Sequence, residues 1–271
     1  MIKWGIIGLG NMGQKFASAI KETSNSKIIS VASLDKNKIK NFKDNYNLNK
    51  VTVYNNYDEI IKDKNINAIY IATLNNTHFE LIKKCSENNK NILCEKPFTL
   101  NYDEGREVYD YITKNRIIFY EGFAYRSHPQ TKIIQNIVQN NELGEIKNIQ
   151  SSFGFKINKI KPDSRLFDKK LGGGAILDVG CYPLSILNLF YKDPDSYKFL
   201  NTKGNLTHTN VDDYAEAEIE INKKIRCQIK VSFKENYQNK TIIEGQKGKL
   251  IINSPWSVSY THLRAHETPA N

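Results

Sequence analysis

Over the first 121 residues, short apolar runs alternate with longer amphipathic stretches. Residues 2–7 (IKWGII) form an apolar run that stops at Gly8, as a buried strand would. Residues 12–22 place Met12, Phe16, Ala19 and Ile20 at helical spacing. The alternation continues with strands predicted at 28–33, 51–54, 68–72, 91–94 and 117–120. Helices are predicted at 39–46, from 57, at 79–88 and at 102–114. Strand followed by helix, with turns of a few residues, predicts parallel βαβ units.

Beyond Gly122 the pattern changes. Helices are predicted at 131–140 and 175–191, and the remaining periodic segments read as strands at 146–157, 214–221, 225–233, 241–244 and 250–252. Asn222-Lys223-Lys224 is a hairpin-sized link between two of them. Strands that pair with sequence neighbours imply a mainly antiparallel open sheet. The expected architecture is α/β: a doubly wound domain over 1–121, then an α+β domain over 122–257. Residues 258–271 fit neither grammar, lack the Lys/Asn/Ile bias of the rest, and resemble a translated sequencing adapter. They are set aside as a foreign tail, and His262 and His266 within it are not taken as a metal pair.

Composition narrows the function classes. The formal charge of +10 would suit nucleic acid, but the lysines are spread from end to end and do not interleave with aromatics. The excess favours small anionic ligands instead. No run approaches the about 18 apolar residues of a membrane span. Met1 leads directly into the first strand, so no signal peptide is expected. Cys85, Cys94, Cys181 and Cys227 form no CxxC pair, which argues against both a zinc site and a disulfide framework. Reduced thiols and a cytoplasmic location are expected.

Four segments carry chemistry. Gly8-Leu9-Gly10-Asn11-Met12-Gly13 is a GxGxxG between a predicted strand and a predicted helix, the context in which that motif binds a dinucleotide. Gly8 permits the tight turn, Gly10 lets backbone approach a pyrophosphate, and Gly13 lets the helix lie close to the strand. The second strand ends Ala32-Ser33-Leu34-Asp35-Lys36. If Asp35 sits at the strand tip, NAD follows; if Ser33 does, the site is small and neutral, and Lys36 or Lys38 could meet the NADP phosphate. Glu95-Lys96-Pro97 follows the strand at 91–94, at the sheet edge where ligands collect. A lysine desolvated beside a cationic nicotinamide would have a lowered pKa and could serve as general base. On spacing alone, an ordinary surface lysine is the simpler reading. In the glycine-rich run at 172–183, Asp178 and Tyr182 lie four apart and share a face if the segment is helical. They could orient a hydroxylated substrate and relay its proton, or be a helix cap and a buried phenol. Pro183 is expected to disturb the helix.

These motifs, with AIYIATLNNTHFE at 68–80, CEKPFTLN at 94–101, YEGFAYRSHPQ at 120–130, RLFDKKLGGGAILDVGCYP at 165–183 and VDDYAEAEIE at 211–220, resemble the Gfo/Idh/MocA oxidoreductases. Within that family the chain is similar to the dihydrodiol and D-xylose dehydrogenase branch. The resemblance implies hydride transfer between NADP or NAD and a sugar, cyclic polyol or dihydrodiol. It implies Lys96 as acid/base, Tyr182 as proton donor or acceptor, and Asp178 as substrate-binding or supporting residue. It implies Gly8, Gly10, Asn11, Met12, Gly13, Ser33, Leu34, Thr73, Asn75, His78, Glu95, Lys96 and Pro97 around the cofactor. Arg126, His128 and Arg165 are implied near the substrate. Many relatives read Ser-Arg where this chain has Ser33-Leu34, so the usual phosphate clamp is missing. Ser33 in place of an acidic residue still tips the expectation towards NADP. The resemblance also implies a homo-oligomer, a dimer, through the open sheet. It implies further structure after Pro255-Trp256, so an unpaired sheet edge is expected. The family includes non-catalytic cofactor-binding sensors; they tend to lose the catalytic lysine, which is present here.

Overall fold

In a computed structural model, residues 1–46, 50–191 and 197–256 are described, and they fall into two units, Met1–Gly122 and Phe123 onwards. The tail at 258–271, with His262 and His266, lies outside the described residues.

The first unit runs β1 (Ile2–Ile7), α1 (Asn11–Lys21), β2 (Ser26–Ala32), α2 (Lys36–Tyr46), β3 (Thr52–Tyr54), α3 (Tyr57–Lys62), β4 (Ala68–Ile71), α4 (His78–Glu87), β5 (Asn91–Cys94), α5 (Tyr102–Lys114) and β6 (Phe119–Glu121). Its six strands are all parallel, in the order β3-β2-β1-β4-β5-β6, the doubly wound arrangement of a Rossmann fold. Because helices cover both faces, neighbouring residues on one strand are both buried. Ile6 joins the core beneath α1 and α2 with Ala17, Val31 and Phe42. Ile7 joins the opposite core with Ile60, Ile69, Ile71 and Ile82. Each such side chain contributes about 1.5–3 kcal/mol by burial. The strand order reverses between β1 and β4, which puts the ends of those two strands at the crevice where such sheets bind ligands.

The second unit contains α6 (Pro129–Gln139), β7 (Ile146–Gly154), a π-helical turn over Ile176–Gly180, α7 (Cys181–Leu187), β8 (Tyr197–Leu206), β9 (Asp212–Ile221), β10 (Ile225–Ser232), β11 (Lys240–Gly245) and β12 (Lys249–Asn253). Its sheet has the order β12-β11-β7-β10-β9-β8. The expected antiparallel pairings hold, except that β7 and β10 run parallel, so the sheet is mixed. Ile149, Ile219, Cys227, Ile229, Val231 and Ile243 point from the sheet into a core shared with Val179, Ile186 and Leu187. The outward face carries cross-strand charges. Glu216 sits between Lys203 (3.1 Å) and Lys230 (3.4 Å), and Arg226 reaches Glu218 (3.2 Å) and Glu220 (3.6 Å). Exposed pairs of this kind contribute about 0–1 kcal/mol each.

Two further expectations change. The strand β8 was not legible, because nearly all its residues are exposed and no alternation marks it. The helix expected at 175–191 is a π turn followed by the seven-residue α7. Pro183 has no N–H for the carbonyl of Val179 four residues earlier, and its ring crowds that carbonyl, so the chain widens just before it. The four cysteines are free thiols, as expected; Cys85, Cys94 and Cys227 are buried.

Candidate functional site

In the first unit, the expected cofactor residues gather at the carboxyl ends of the strands. Gly8 leaves β1 with φ +95°, and a Cβ there would stand 2.5 Å from the carbonyl oxygen of Ala72. Only glycine permits this, so the turn can lie against the end of β4. At Gly13 an added Cβ would strike the carbonyl oxygen of Gly8, which is why the first turn of α1 can sit directly on the loop. Gly10 differs: nothing lies within 4 Å of the place its Cβ would occupy. No side chain caps α1, so its first N–H groups face this open cradle beside exposed Asn11 and Met12. An uncapped helix N-terminus over free space is what a pyrophosphate requires, and the residues fit a dinucleotide.

The end of β2 resolves the register. Ala32 pairs with Ile7, and its carbonyl accepts from Gly8 N–H. Ser33 is therefore the first residue beyond the strand and is buried, while Leu34 is 71% exposed. Asp35 turns away to begin α2. Its Oδ1 accepts from the N–H groups of Asn37 (2.9 Å) and Lys38 (3.2 Å), and its own N–H donates to Ser33 Oγ (3.1 Å). It is thus engaged as a helix cap. Lys38 stands 4.0 Å from the same carboxylate.

After β4, Thr77 Oγ1 donates to Thr73 Oγ1 (2.6 Å) and shapes the loop that also carries Asn75. Lys96 and Pro97 are joined by a cis peptide bond. Burial raises the Glu95 pKa above the usual carboxylate range, opposed by the Tyr70 hydroxyl, which donates to Glu95 Oε1 at 2.5 Å, and by Lys96 and Lys15. Tyr70 lies 4.2 Å, ring centre to ring centre, from Phe16 on α1, so one side chain links the nucleotide helix to the Glu95-Lys96-Pro97 loop. Sequence reasoning passed over Tyr70, whose apolar neighbours made it read as core. His78 is wholly buried rather than facing an open pocket, and its Nδ1 lies 2.8 Å from the Pro97 carbonyl oxygen.

In the second unit, Asp178 and Tyr182 lie at and just after the π turn. Asp178 is buried, and its Oδ1 accepts from Arg165 Nη1 at 2.7 Å. The half-exposed guanidinium (52%) and the nearly covered carboxylate (8%) form an ion pair that fixes the carboxylate's direction. Gly174, with φ +118°, makes room for Asp212, whose Oδ2 accepts from Ile176 N–H at 2.7 Å. A Cβ at Gly174 would collide with Asp212 Oδ1. Asp212 was visible only as part of VDDYAEAEIE; its part in anchoring the Asp178 turn needed the fold. The Tyr182 ring is surrounded by Phe123 (5.4 Å), Phe153 (5.4 Å), Trp256 (5.8 Å) and Tyr125 (6.4 Å).

The remaining substrate candidates separate. Arg126 donates from Nη2 to the Ser185 carbonyl (3.0 Å) and lies over the Phe123 ring, within the Tyr182 neighbourhood. Ser185 Oγ donates to the Tyr182 carbonyl (2.8 Å). His128 instead caps α6, its Nδ1 accepting from Gln130 N–H (3.2 Å). Among the described residues, no group of three His, Cys, Asp or Glu side chains could hold a metal ion, and no helix is long and apolar enough to cross a membrane.

The glycine turn, the doubly wound sheet and the second, open-sheeted unit define a dinucleotide-binding oxidoreductase of two domains. The chain belongs to the Gfo/Idh/MocA oxidoreductase family. Residues 2–123 match its NAD-binding Rossmann fold, and residues 131–251 match a Gfo/Idh/MocA C-terminal domain. It is 31% identical to the trans-1,2-dihydrobenzene-1,2-diol dehydrogenase of Xenopus tropicalis, over 94% of this chain and 76% of that protein. It is 28% identical to D-xylose 1-dehydrogenase (NADP(+)) 2 of Haloferax volcanii, over 95% and 78%. Its fold matches that of a 3-ketoreductase from Actinomadura kijaniata in complex with NADP and TDP-benzene (TM-score 0.84, 21% identity, covering 94% of this chain and 77% of that one). The same holds for a scyllo-inositol dehydrogenase from Lactobacillus casei with bound NAD(H) and scyllo-inositol (TM-score 0.81, 19% identity, 93% and 76%). The protein is an NAD(P)-dependent oxidoreductase.

Proposed function

We propose that the protein is a dehydrogenase or reductase of a sugar, cyclic polyol or dihydrodiol. The observation that carries this is the second unit's carboxylate–phenol pair: Asp178 held by Arg165, followed one turn later by Tyr182 in a ring of aromatic side chains. Bound nicotinamide would supply the hydride acceptor or donor at its C4. In the oxidising direction the carbinol C–H bond breaks with its electron pair, the O–H bond becomes the second bond of the carbonyl, and the hydroxyl proton must leave. Lys96 is assigned as the general base for that proton, and Tyr182 as a proton donor or acceptor. Asp178 orients the substrate hydroxyls. Gly8, Gly10 and Gly13 hold the pyrophosphate against α1, with Thr73, Asn75, Glu95 and Pro97 around the nucleotide.

NADP is assigned as the preferred cofactor. A buried Ser33 at the strand tip and an Asp35 committed to capping α2 leave no acidic group there to repel a 2′-phosphate. Turnover across an aldose, polyol and dihydrodiol panel with NADP and with NAD tests both points. Activity on a member of that panel, stronger with NADP, is expected. Asp35→Ala should cost about 1 kcal/mol of stability as a lost cap and leave the cofactor ratio unchanged. A tenfold swing towards NADP in Asp35→Ala would contradict the assignment.

Free thiols suit a reducing compartment, and the cytoplasm is assigned. The outward face of the sheet, with its mixed charges, suits a homodimer. Sedimentation at micromolar concentration should give a dimer, and a monomer would refute that.

A further inference from the structure

His78 opens α4, three strands further along the chain than the glycine turn, and its ring lies against the Pro97 carbonyl rather than beside open space. The residue is 0% exposed. Its Nδ1 lies 2.8 Å from the Pro97 carbonyl oxygen. A carbonyl can only accept, so the proton is on Nδ1 and the ring donates. Nε2 is then a bare acceptor, buried with no hydrogen-bond partner among the described residues. Leaving a buried acceptor unpaired costs about 1–3 kcal/mol, so a histidine survives here for what Nδ1 does. Burial also lowers the ring's pKa, opposed by the carbonyl of Pro97 and the backbone of Thr73.

We propose that His78 is a positioning residue for Lys96: its Nδ1–H holds the Pro97 carbonyl and thereby fixes the loop that aims Lys96, and its ring makes no contact with the nucleotide. The inference rests on the reading of Lys96 as the proton-handling group. It departs from the expectation that His78 lines the cofactor pocket. It also ties the loop after β4, which carries Thr73 and Asn75, to the loop after β5.

Two measurements test it. The amide nitrogen of an asparagine falls where Nδ1 lies, and that of a glutamine where Nε2 lies. His78→Asn should therefore keep kcat near the parent value, whereas His78→Gln should lose about 10- to 100-fold. Cofactor affinity, read by fluorescence titration with NADPH, should stay within about twofold in both, since the binding cradle is untouched. The reverse order of activities, or a tenfold loss of NADPH affinity at unchanged kcat, overturns the inference. Lys96→Met measured alongside separates the two claims. Normal turnover in Lys96→Met overturns the reading of Lys96 on which the inference stands; loss there with full activity in His78→Gln overturns the inference itself. The unmodified protein gives an answer that does not depend on how the variants fold. In 15N-histidine spectra at neutral pH, the His78 ring should show a protonated Nδ1 and a bare Nε2, unchanged by NADP. A protonated Nε2, or a large shift of Nε2 on adding NADP, overturns it.

Discussion

Replacing Lys96 with methionine is expected to lower kcat by about 10²- to 10⁴-fold, the usual worth of a positioned acid/base group, with NADPH affinity nearly unchanged. Methionine keeps the length and the apolar stem but cannot take a proton. The loop keeps several fixed points in this variant. Pro97 is held by His78, Glu95 by Tyr70, and Phe98 N–H donates to Glu121 Oε1 (3.2 Å). Tyr182→Phe should likewise lose turnover. The phenyl ring retains its neighbours Phe123, Phe153 and Trp256, and only the hydroxyl is removed. Steady-state kinetics with NADPH titrations check both. Normal kcat in either variant would remove that residue from the chemistry.

The second large effect is on the glycine turn, where two glycines should fail in different ways. Gly8→Ala places a methyl group 2.5 Å from the Ala72 carbonyl oxygen and 2.9 Å from Thr73 N, at φ +95°. Neither contact is with a flexible side chain, so the backbone of β1 or β4 must move. A strained φ costs about 1–3 kcal/mol and overpacking about as much again. The loss should lower the melting temperature by about 10 °C or more and abolish cofactor binding. Gly10→Ala meets nothing within 4 Å, so the melting temperature should not change. Affinity for NADPH should nevertheless fall at least tenfold, because the methyl group occupies the space left for the pyrophosphate. Melting curves and NADPH titrations on the pair check this. A Gly10→Ala protein that binds NADPH normally would mean that the phosphates lie elsewhere.

Much of this was legible because local pattern and tertiary context agree. The βαβ alternation, the GxGxxG and the free cysteines follow from short-range spacing, and the structure has them where they were expected. What the sequence concealed depends on partners far along the chain. The strand β8 carries Lys, Asn and Thr residues exposed on both faces, so it lacks the alternation that marked β9 and β10. The parallel pairing of β7 with β10 joins segments on either side of the π turn, and no turn residue signals it. Pro183 warned of a break in the helix, but a π turn that aligns Asp178 also needs Asp212 and Gly174, which lie 38 positions apart by number. At Asp35 the acidic character was plain, and its commitment to the N-terminus of α2 was not. His78 showed the reverse. The resemblance implied a place for it at the cofactor, and its full burial against the Pro97 carbonyl showed only in the fold.

The most direct test of the central claim is to follow the hydride itself. The protein is incubated with NADP and a polyol or aldose deuterated at the carbinol carbon, and the reduced nicotinamide is analysed by mass spectrometry. The account predicts deuterium at nicotinamide C4 with the parent protein and almost none with Lys96→Met. A parent protein that binds NADP tightly, yet transfers no label from any sugar, polyol or dihydrodiol offered, would contradict it.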